Sequence, residues 1–143
     1  MERDRKFSVV LDTNVLVSAF VFGGNPHKVL ELVLRKHIRD VTSSFIISEL
    51  TEVLLRKFLF EESKALLLEK KIRKYFLLVQ PTKRIKVLKD DADNRILEAA
   101  LQGHSNFIIT GDKELLSLKK YKGIATVTPA QFLQEIYPSS TSP

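Results

Sequence analysis

Short apolar stretches alternate with longer amphipathic stretches along most of the chain. The short stretches contain many β-branched and aromatic side chains, which is typical of buried strands. They span residues 7–11, 38–42, 106–109 and 125–127. In the longer stretches apolar side chains recur every three or four residues, which predicts amphipathic helices. The predicted helices begin at or near Pro26, Ser43 or Ser44, Ser63, Asp90, Lys113 and Pro129.

This order of elements predicts an α/β fold. Short apolar strands that alternate with helices form parallel sheets whose two faces are both covered. We expect a single domain over residues 7–137. The ends, 1–6 and 138–143, are charged or consist of Pro, Ser and Thr, so we expect them to be flexible. Residues 82–89 mix basic and apolar side chains, and their pattern predicts neither helix nor strand.

The composition narrows the class of protein. With 44% apolar and 28% charged residues, the 143-residue chain resembles an ordinary globular domain. It contains no cysteine, which excludes a disulfide framework, a zinc–thiolate site and a cysteine nucleophile. No apolar stretch approaches the roughly 18 to 20 residues that a membrane span needs. We therefore expect a cytoplasmic protein with no membrane partner.

The positive charge is concentrated in one part of the chain. The formal net charge is +6, but residues 64–89 carry nine basic side chains and one acidic side chain. The other residues carry 14 basic and 16 acidic side chains, so the whole excess lies in this segment. A basic surface of this kind favours RNA as a partner, although a solvated polar face would have the same composition. The candidate RNA-binding residues are Lys70, Lys71, Arg73, Lys74, Lys83 and Arg84.

Four acidic residues stand where the carboxyl ends of strands would gather. Asp12 directly follows the strand at 7–11, and Asp112 comes shortly after the strand at 106–109. Asp93 lies in the first turn of a predicted helix, and Glu49 lies about two turns into another. Ligands of open α/β sheets bind at that edge. A cluster of carboxylates without sulfur or histidine suits Mg²⁺ or Mn²⁺ and phosphoryl transfer.

Four sequence segments resemble the PIN-domain nucleases, most closely the small VapC-like toxins of prokaryotic toxin–antitoxin systems. The segments occur in the family's order and with similar spacing. They are Val9-Val-Leu-Asp12-Thr-Asn14, Ser48-Glu49-Leu50, Asp90-x-x-Asp93-Asn94 and Ile108-Ile-Thr110-Gly-Asp112. The third segment departs from the family's pattern, because Asp91-Ala92 stands where relatives commonly carry Pro and then Asp.

The resemblance implies a three-layer α/β/α sandwich around a central, mainly parallel sheet. It also implies a metal-dependent endoribonuclease, a cognate antitoxin and frequent homodimerisation. Asp12, Glu49, Asp93 and Asp112 would bind one or two Mg²⁺ or Mn²⁺ ions and would be the catalytic residues, with Glu49 or Asp93 as the general base. The residues that would support this set are Thr13, Asn14, Asp90 and Thr110.

Other interpretations remain open for these residues. An Asp at a strand end or in the first turn of a helix often only caps that helix. The chain could also be a catalytically silent PIN module that binds RNA or a protein. A receiver domain or an Asp-dependent phosphatase fits less well, because Leu11, Asn14 and Thr42 stand where those proteins need further acids.

Overall fold

The computed structural model describes residues 6–138 and confirms the predicted α/β sandwich with its mainly parallel sheet. The predicted flexible ends lie outside these residues, apart from Lys6 and Pro138. The strands are β1 (Ser8–Leu11), β2 (Arg39–Ser43), β3 (Leu77–Val79), β4 (Phe107–Ile109), β5 (Lys120–Tyr121) and β6 (Ile124–Val127). The helices are α1 (Thr13–Val21), α2 (Gly24–Leu34), α3 (Ser44–Arg56), α4 (Glu62–Tyr75), α5 (Asp91–Gln102), α6 (Lys113–Leu118) and α7 (Pro129–Ile136).

The six strands form one sheet in the order β3-β2-β1-β4-β6-β5. Every neighbouring pair is parallel except β5 and β6. The chain moves outward from β1 to β3 and then returns to β4, so right-handed connections place α5 on the face opposite α1 to α4. The order reverses at β1, and the carboxyl ends of β1 and β4 therefore lie side by side.

Three elements differ from the prediction. Helix α1 was not predicted, because Thr13–Val21 is mostly apolar, contains four β-branched residues and shows no clear helical period. Strands β3 and β5 were not predicted either, since they have only 3 and 2 residues. The predicted caps are confirmed: Ser43 caps α3 by accepting a bond from the Ile46 amide, and Gly103 ends α5.

Apolar side chains from both layers fill the core on the two faces of the sheet. Val9, Val10 and Ile108 in the central strands are completely buried, as is Phe132 of α7. The rings of Phe7, Phe107 and Phe132 pack edge to face, with centroids 5.3 to 6.4 Å apart. Within residues 6–138, no helix is both long enough and apolar enough to cross a bilayer.

Candidate active site

Asp12 lies at the carboxyl end of β1 and is held by the neighbouring strand. Its amide donates to the carbonyl of Ile109 at 3.0 Å, and its Oδ2 accepts a bond from the Thr110 hydroxyl at 2.7 Å. Asp12 occupies the N-cap position of α1, yet its side chain makes no capping bond. The carboxylate is therefore turned toward β4 and away from the role that an Asp at this position usually has.

Thr110 connects Asp12 to Asp112. Its fully buried hydroxyl donates to Asp12 and accepts a bond from the Asp112 amide at 2.9 Å. The Oδ1 of Asp112 caps α6, because it accepts from the amides of Glu114 at 2.8 Å and Leu115 at 3.1 Å. The capping role considered for Asp112 is thus observed, and it occupies one of the two carboxylate oxygens.

Thr13 connects the first turn of α1 to Glu49 of α3. The buried Thr13 hydroxyl donates to Oε1 of the half-buried Glu49 at 2.5 Å. Helices α1 and α3 pack against each other, which brings Glu49 close to the end of β1. Asn14, the neighbour of Thr13, is exposed. The structure therefore shows a hydrogen-bonding role for Thr13 and no comparable one for Asn14 within residues 6–138.

Asp93 is a buried carboxylate in the first turn of α5. It is 6% exposed, and its Oδ2 has no hydrogen-bond partner among the described residues. Asp90, at the N-cap of the same helix, is exposed and accepts a bond from the Ala92 amide at 2.9 Å. Asp93 is therefore the acid of this helix that is both desolvated and unsatisfied, which is costly without a partner.

The acids at this edge influence one another electrostatically. Burial raises the pKa of Asp12 to about 6. Hydrogen bonds from the Thr110 side chain and the Thr13 backbone lower the pKa, and the charges of Asp112 and Glu49 raise it further. Burial also raises the pKa of Asp93 to about 7, with further contributions from Asp112 and Asp12. We define the acidic cluster as Asp12, Glu49, Asp93 and Asp112.

The donor set of the acidic cluster suits a hard divalent cation. It consists of carboxylate oxygens alone, as Mg²⁺ and Mn²⁺ prefer. The buried, unpartnered Oδ2 of Asp93 is an acceptor that a cation would satisfy. Within residues 6–138, however, no three acidic or histidine side chains converge in a geometry that could already hold an ion. The residues therefore fit a cation in chemistry and neighbourhood, and their side chains would have to adjust to bind it.

Side chains of α5 hold the segment that leads to Asp90 and Asp93. Asn94 bonds to the amides of Val87 and Leu88 and to the carbonyl of Leu88 at 2.8 to 3.1 Å. Arg95 and Glu98 form a buried ion pair at 2.8 Å, and Glu98 also accepts from the Ile85 amide. None of these three side chains was predicted to have such a role. The signal in the sequence was a pair of charges on a helix that is otherwise apolar there.

The predicted RNA-binding residues do not lie on one face. Lys74, near the end of α4, lines a groove with Arg39 and Leu77, the first residues of β2 and β3. Arg84 lines a pocket with Ser43, the last residue of β2. Lys74 therefore lies near the amino ends of β2 and β3, and Arg84 lies near their carboxyl ends. The remaining members of the set are Lys70 and Lys71 on the exposed side of α4, Arg73 paired with Glu69, and exposed Lys83 after β3.

Two solved structures share this fold. One is VapBC2 from Rickettsia felis, which was solved bound to a fragment of its promoter DNA. Its TM-score is 0.56 at 14% identity, over 84% of this chain and 97% of that one. FitAcB from Neisseria gonorrhoeae has a TM-score of 0.52 at 17% identity, over 85% of this chain and 98% of that one. At these identities the likeness establishes the fold.

Similarity in sequence establishes the family. The chain is 33% identical over 143 aligned residues to the uncharacterized protein MJ1680 of Methanocaldococcus jannaschii. The alignment covers 91% of this chain and 92% of the relative. The family model of the PIN domain matches residues 8–114, which include all four members of the acidic cluster. The chain therefore belongs to the PIN-domain family.

Proposed function

We propose that this protein is a metal-dependent endoribonuclease and the toxin of a toxin–antitoxin pair. The observation that carries the proposal is the acidic cluster at the carboxyl edge of β1 and β4. Two of its carboxyl groups have pKa values raised to about 6 and about 7, and one buried oxygen has no partner among the described residues. Such a cluster is costly by itself and becomes favourable when a cation binds it.

In this proposal the chain's own side chains hold the metal and orient one another. Asp12, Glu49, Asp93 and Asp112 bind one or two Mg²⁺ or Mn²⁺ ions. A bound divalent cation would lower the pKa of a water molecule and stabilise charge on the phosphate. Thr110 orients Asp12 and the backbone of Asp112, and Thr13 orients Glu49. Asp90 supports the same turn by capping α5.

RNA is the proposed substrate because one part of the basic segment, around Arg84, lies at the same end of the strands as the acidic cluster. Arg84 lines the pocket next to the end of β2 and is exposed. It would contact phosphates near the bond that is cut. Lys83 follows β3 beside α5, and Lys70, Lys71, Arg73 and Lys74 would contact a longer RNA along α4. These contacts are independent of base identity and sensitive to salt.

The proposal is tested by cleavage of a panel of single-stranded and structured RNAs. Wild-type protein is assayed with Mg²⁺, with Mn²⁺ and with EDTA, beside Asp12→Asn, Asp112→Asn and Glu49→Gln. Glu52→Gln is the matched control, because Glu52 lies on the same helix and its carboxylate is 58% exposed. Thermal unfolding with and without Mn²⁺ gives a second measure, since an ion that binds the folded state raises the melting temperature.

We expect cutting that requires metal, is lost in the three variants of the acidic cluster and is kept in Glu52→Gln. Mn²⁺ should stabilise the wild type and stabilise Asp12→Asn less. Cutting that persists in all variants would disprove the assignment of these residues. Stable protein that binds RNA but never cuts it would instead support the catalytically silent PIN module.

An antitoxin partner is proposed from the two solved neighbours and from exposed apolar side chains. The neighbours are VapBC2 and FitAcB. In this chain, Phe22 is 72% exposed and its ring packs edge to face on that of Phe58, with centroids 5.6 Å apart. Leu59, which follows Phe58, is 80% exposed. Large exposed apolar side chains that lie together mark interaction sites.

The partner proposal is tested in growing cells. Expression of the wild type should arrest growth, and expression of Asp12→Asn should not. Co-expression of a small protein encoded beside this gene should restore growth, and Phe22→Ser with Leu59→Ser should abolish that rescue. Rescue that is unaffected by these two changes would place the interface elsewhere. Sedimentation of the purified chain tests whether it forms the homodimer that the resemblance to PIN-domain toxins implies.

A further inference from the structure

A small pocket opens at the carboxyl ends of β2 and β3. Its volume is about 270 Å³. Ser44 and Phe45 of α3 form one wall, and Gln80, Pro81 and Arg84 form the other. Because β2 and β3 are parallel and pair Ser43 with Val79, both strands end at this pocket. It therefore lies at the carboxyl ends of the parallel strands, as Asp12 does.

Phe45 is an exposed aromatic residue in this pocket. It is 41% exposed to solvent. Glu49 follows it by four residues in α3, so the two side chains lie on the same side of the helix, about 6 Å apart along its axis. No other part of the described chain covers this ring fully. Its position next to a member of the acidic cluster is one where a bound substrate would cover it.

The charges around the pocket favour a polyanion with a flat, uncharged group. Arg95 and Glu98 form the inner wall, and their buried ion pair leaves no net charge there. The guanidinium of Arg84 is exposed at the rim and remains available for a phosphate. The exposed amide of Gln80 offers both a donor and an acceptor for the edge of a base.

We propose that this pocket binds one unpaired base of the RNA substrate, with Phe45 stacked on the base and Arg84 on an adjacent phosphate. The inference rests on the proposed nuclease function and adds to it a determinant of sequence preference. The volume is just below the roughly 300 Å³ at which pockets for small molecules begin, which suits one base. Bases of a duplex are already stacked, so the substrate would be single-stranded at this position.

The test compares the wild type with Phe45→Ala and Phe45→Trp on a set of single-stranded RNAs that differ at one base near the cut. Tyr137→Ala is the matched control, because Tyr137 is a 60% exposed aromatic residue at the end of α7. The kcat/KM for each RNA is measured, together with binding of the same RNAs to Asp12→Asn with and without Phe45→Ala.

We expect Phe45→Ala to lower kcat/KM for the preferred RNA and its affinity roughly 5- to 150-fold, the range that loss of one stacked base gives. The preference among bases at that position should disappear, and Phe45→Trp and Tyr137→Ala should keep it. If Asp12→Asn abolishes cutting but Phe45→Ala leaves rate and preference unchanged, the pocket proposal is wrong and the nuclease survives. If Asp12→Asn still cuts, the proposed function itself has failed.

Discussion

At the scale of single residues, Asp12 shows burial and hydrogen bonding acting against each other. Burial raises its pKa to about 6, although Thr110 donates to it. The unfolded chain has an ordinary Asp with a pKa of about 3.9. The folded protein therefore holds this proton more tightly than the unfolded chain does. Its stability must fall as the pH rises from the unfolded value through the folded one.

We expect metal-free wild type to lose stability between about pH 4 and pH 6 because Asp12 ionises there. A shift from 3.8 to about 6 corresponds to about 3 kcal/mol. Asp93, whose pKa is about 7, extends the loss to about pH 7. Asp12→Asn should be more stable than the wild type at pH 8 and similar to it at pH 4. Urea denaturation in EDTA measures this.

The exposed Glu135 provides the control for this experiment. Glu135→Gln should follow the wild-type curve, because Glu135 is exposed on the surface of α7. If Asp12→Asn loses as much stability with pH as the wild type, burial of Asp12 does not have the predicted effect. The result would also show whether the ionised Asp12 carboxylate, which metal binding would require, lowers the stability of the folded protein.

Asp40 in β2 is another buried acid, and it was not among the predicted site residues. It is 1% exposed, its Oδ1 accepts a long bond of 3.4 Å from the Leu11 amide, and its Oδ2 has no partner among the described residues. Burial raises its pKa well above the ordinary value. The signal in the sequence was an Asp inside a predicted buried strand.

We expect Asp40→Asn to be more stable than the wild type at pH 8, with a difference that shrinks toward pH 4. The amide keeps an oxygen for Leu11 and never ionises, whereas in the wild type the unfolded chain loses the Asp40 proton at a lower pH than the folded protein does, so rising pH favours unfolding. Melting temperatures measured across this range provide the check. Equal melting temperatures at pH 8 would show that Asp40 is not destabilised by burial.

At the scale of elements, α5 packs very closely on β2 at Gly103. A Cβ at this position would lie 2.6 Å from Cγ1 of Val41, which is inside any normal contact distance. The φ of Gly103 is −88°, so an L-residue can adopt its backbone conformation. Steric contact with Val41, and no backbone strain, is therefore the reason for glycine here.

We expect Gly103→Ala to destabilise the fold by roughly 1 to 3 kcal/mol, as overpacking of a core does. Combining it with Val41→Ala should cost less than the sum of the two single changes, since the second change removes the contact. Chemical denaturation of the four proteins gives this coupling. Gly111→Ala is the control and should be nearly neutral, because a Cβ added to Gly111 would have no neighbour within 4 Å. Strictly additive effects would contradict the steric explanation.

At the scale of the whole molecule, the sheet separates cations that are close in sequence. Lys74 and Arg84 belong to one basic segment, but they lie at opposite ends of the parallel strands because β3 runs between them. The acidic cluster lies at the carboxyl ends of the strands, the end at which Arg84 also lies. Only part of the basic segment can therefore contact the RNA close to the proposed cleavage site.

We expect Arg84→Gln to weaken binding of a short single-stranded RNA and Lys74→Gln to leave it unchanged. The loss of affinity should be similar for all base sequences. The negative slope of log K against log salt should become shallower by about 0.7 for each lost phosphate contact. Both variants are made in the Asp12→Asn background and titrated at several salt concentrations. An equal effect of Lys74→Gln would show that even a short RNA extends along α4.

Most of the alternation of strands and helices, and the positions of the four acids along it, could be predicted from the sequence alone. Buried parallel strands must be short and apolar, and amphipathic helices must repeat every three to four residues, so these signals are local. Asp12, Asp93 and Asp112 stand beside such elements, which allowed their common edge to be predicted. The four matching segments indicated the PIN-domain family, which the family model confirms.

Tertiary structure alone decided the features that depend on distant neighbours. Helix α1 is buried on nearly every side, so its sequence lacks a polar face, and β3 and β5 are strands only because β2 and β6 pair with them. Residues 82–89 take their course from side chains of α5. The bonds of Thr13 and Thr110, which orient the acids, join residues 36 and 98 positions apart. No local pattern encodes contacts over such separations.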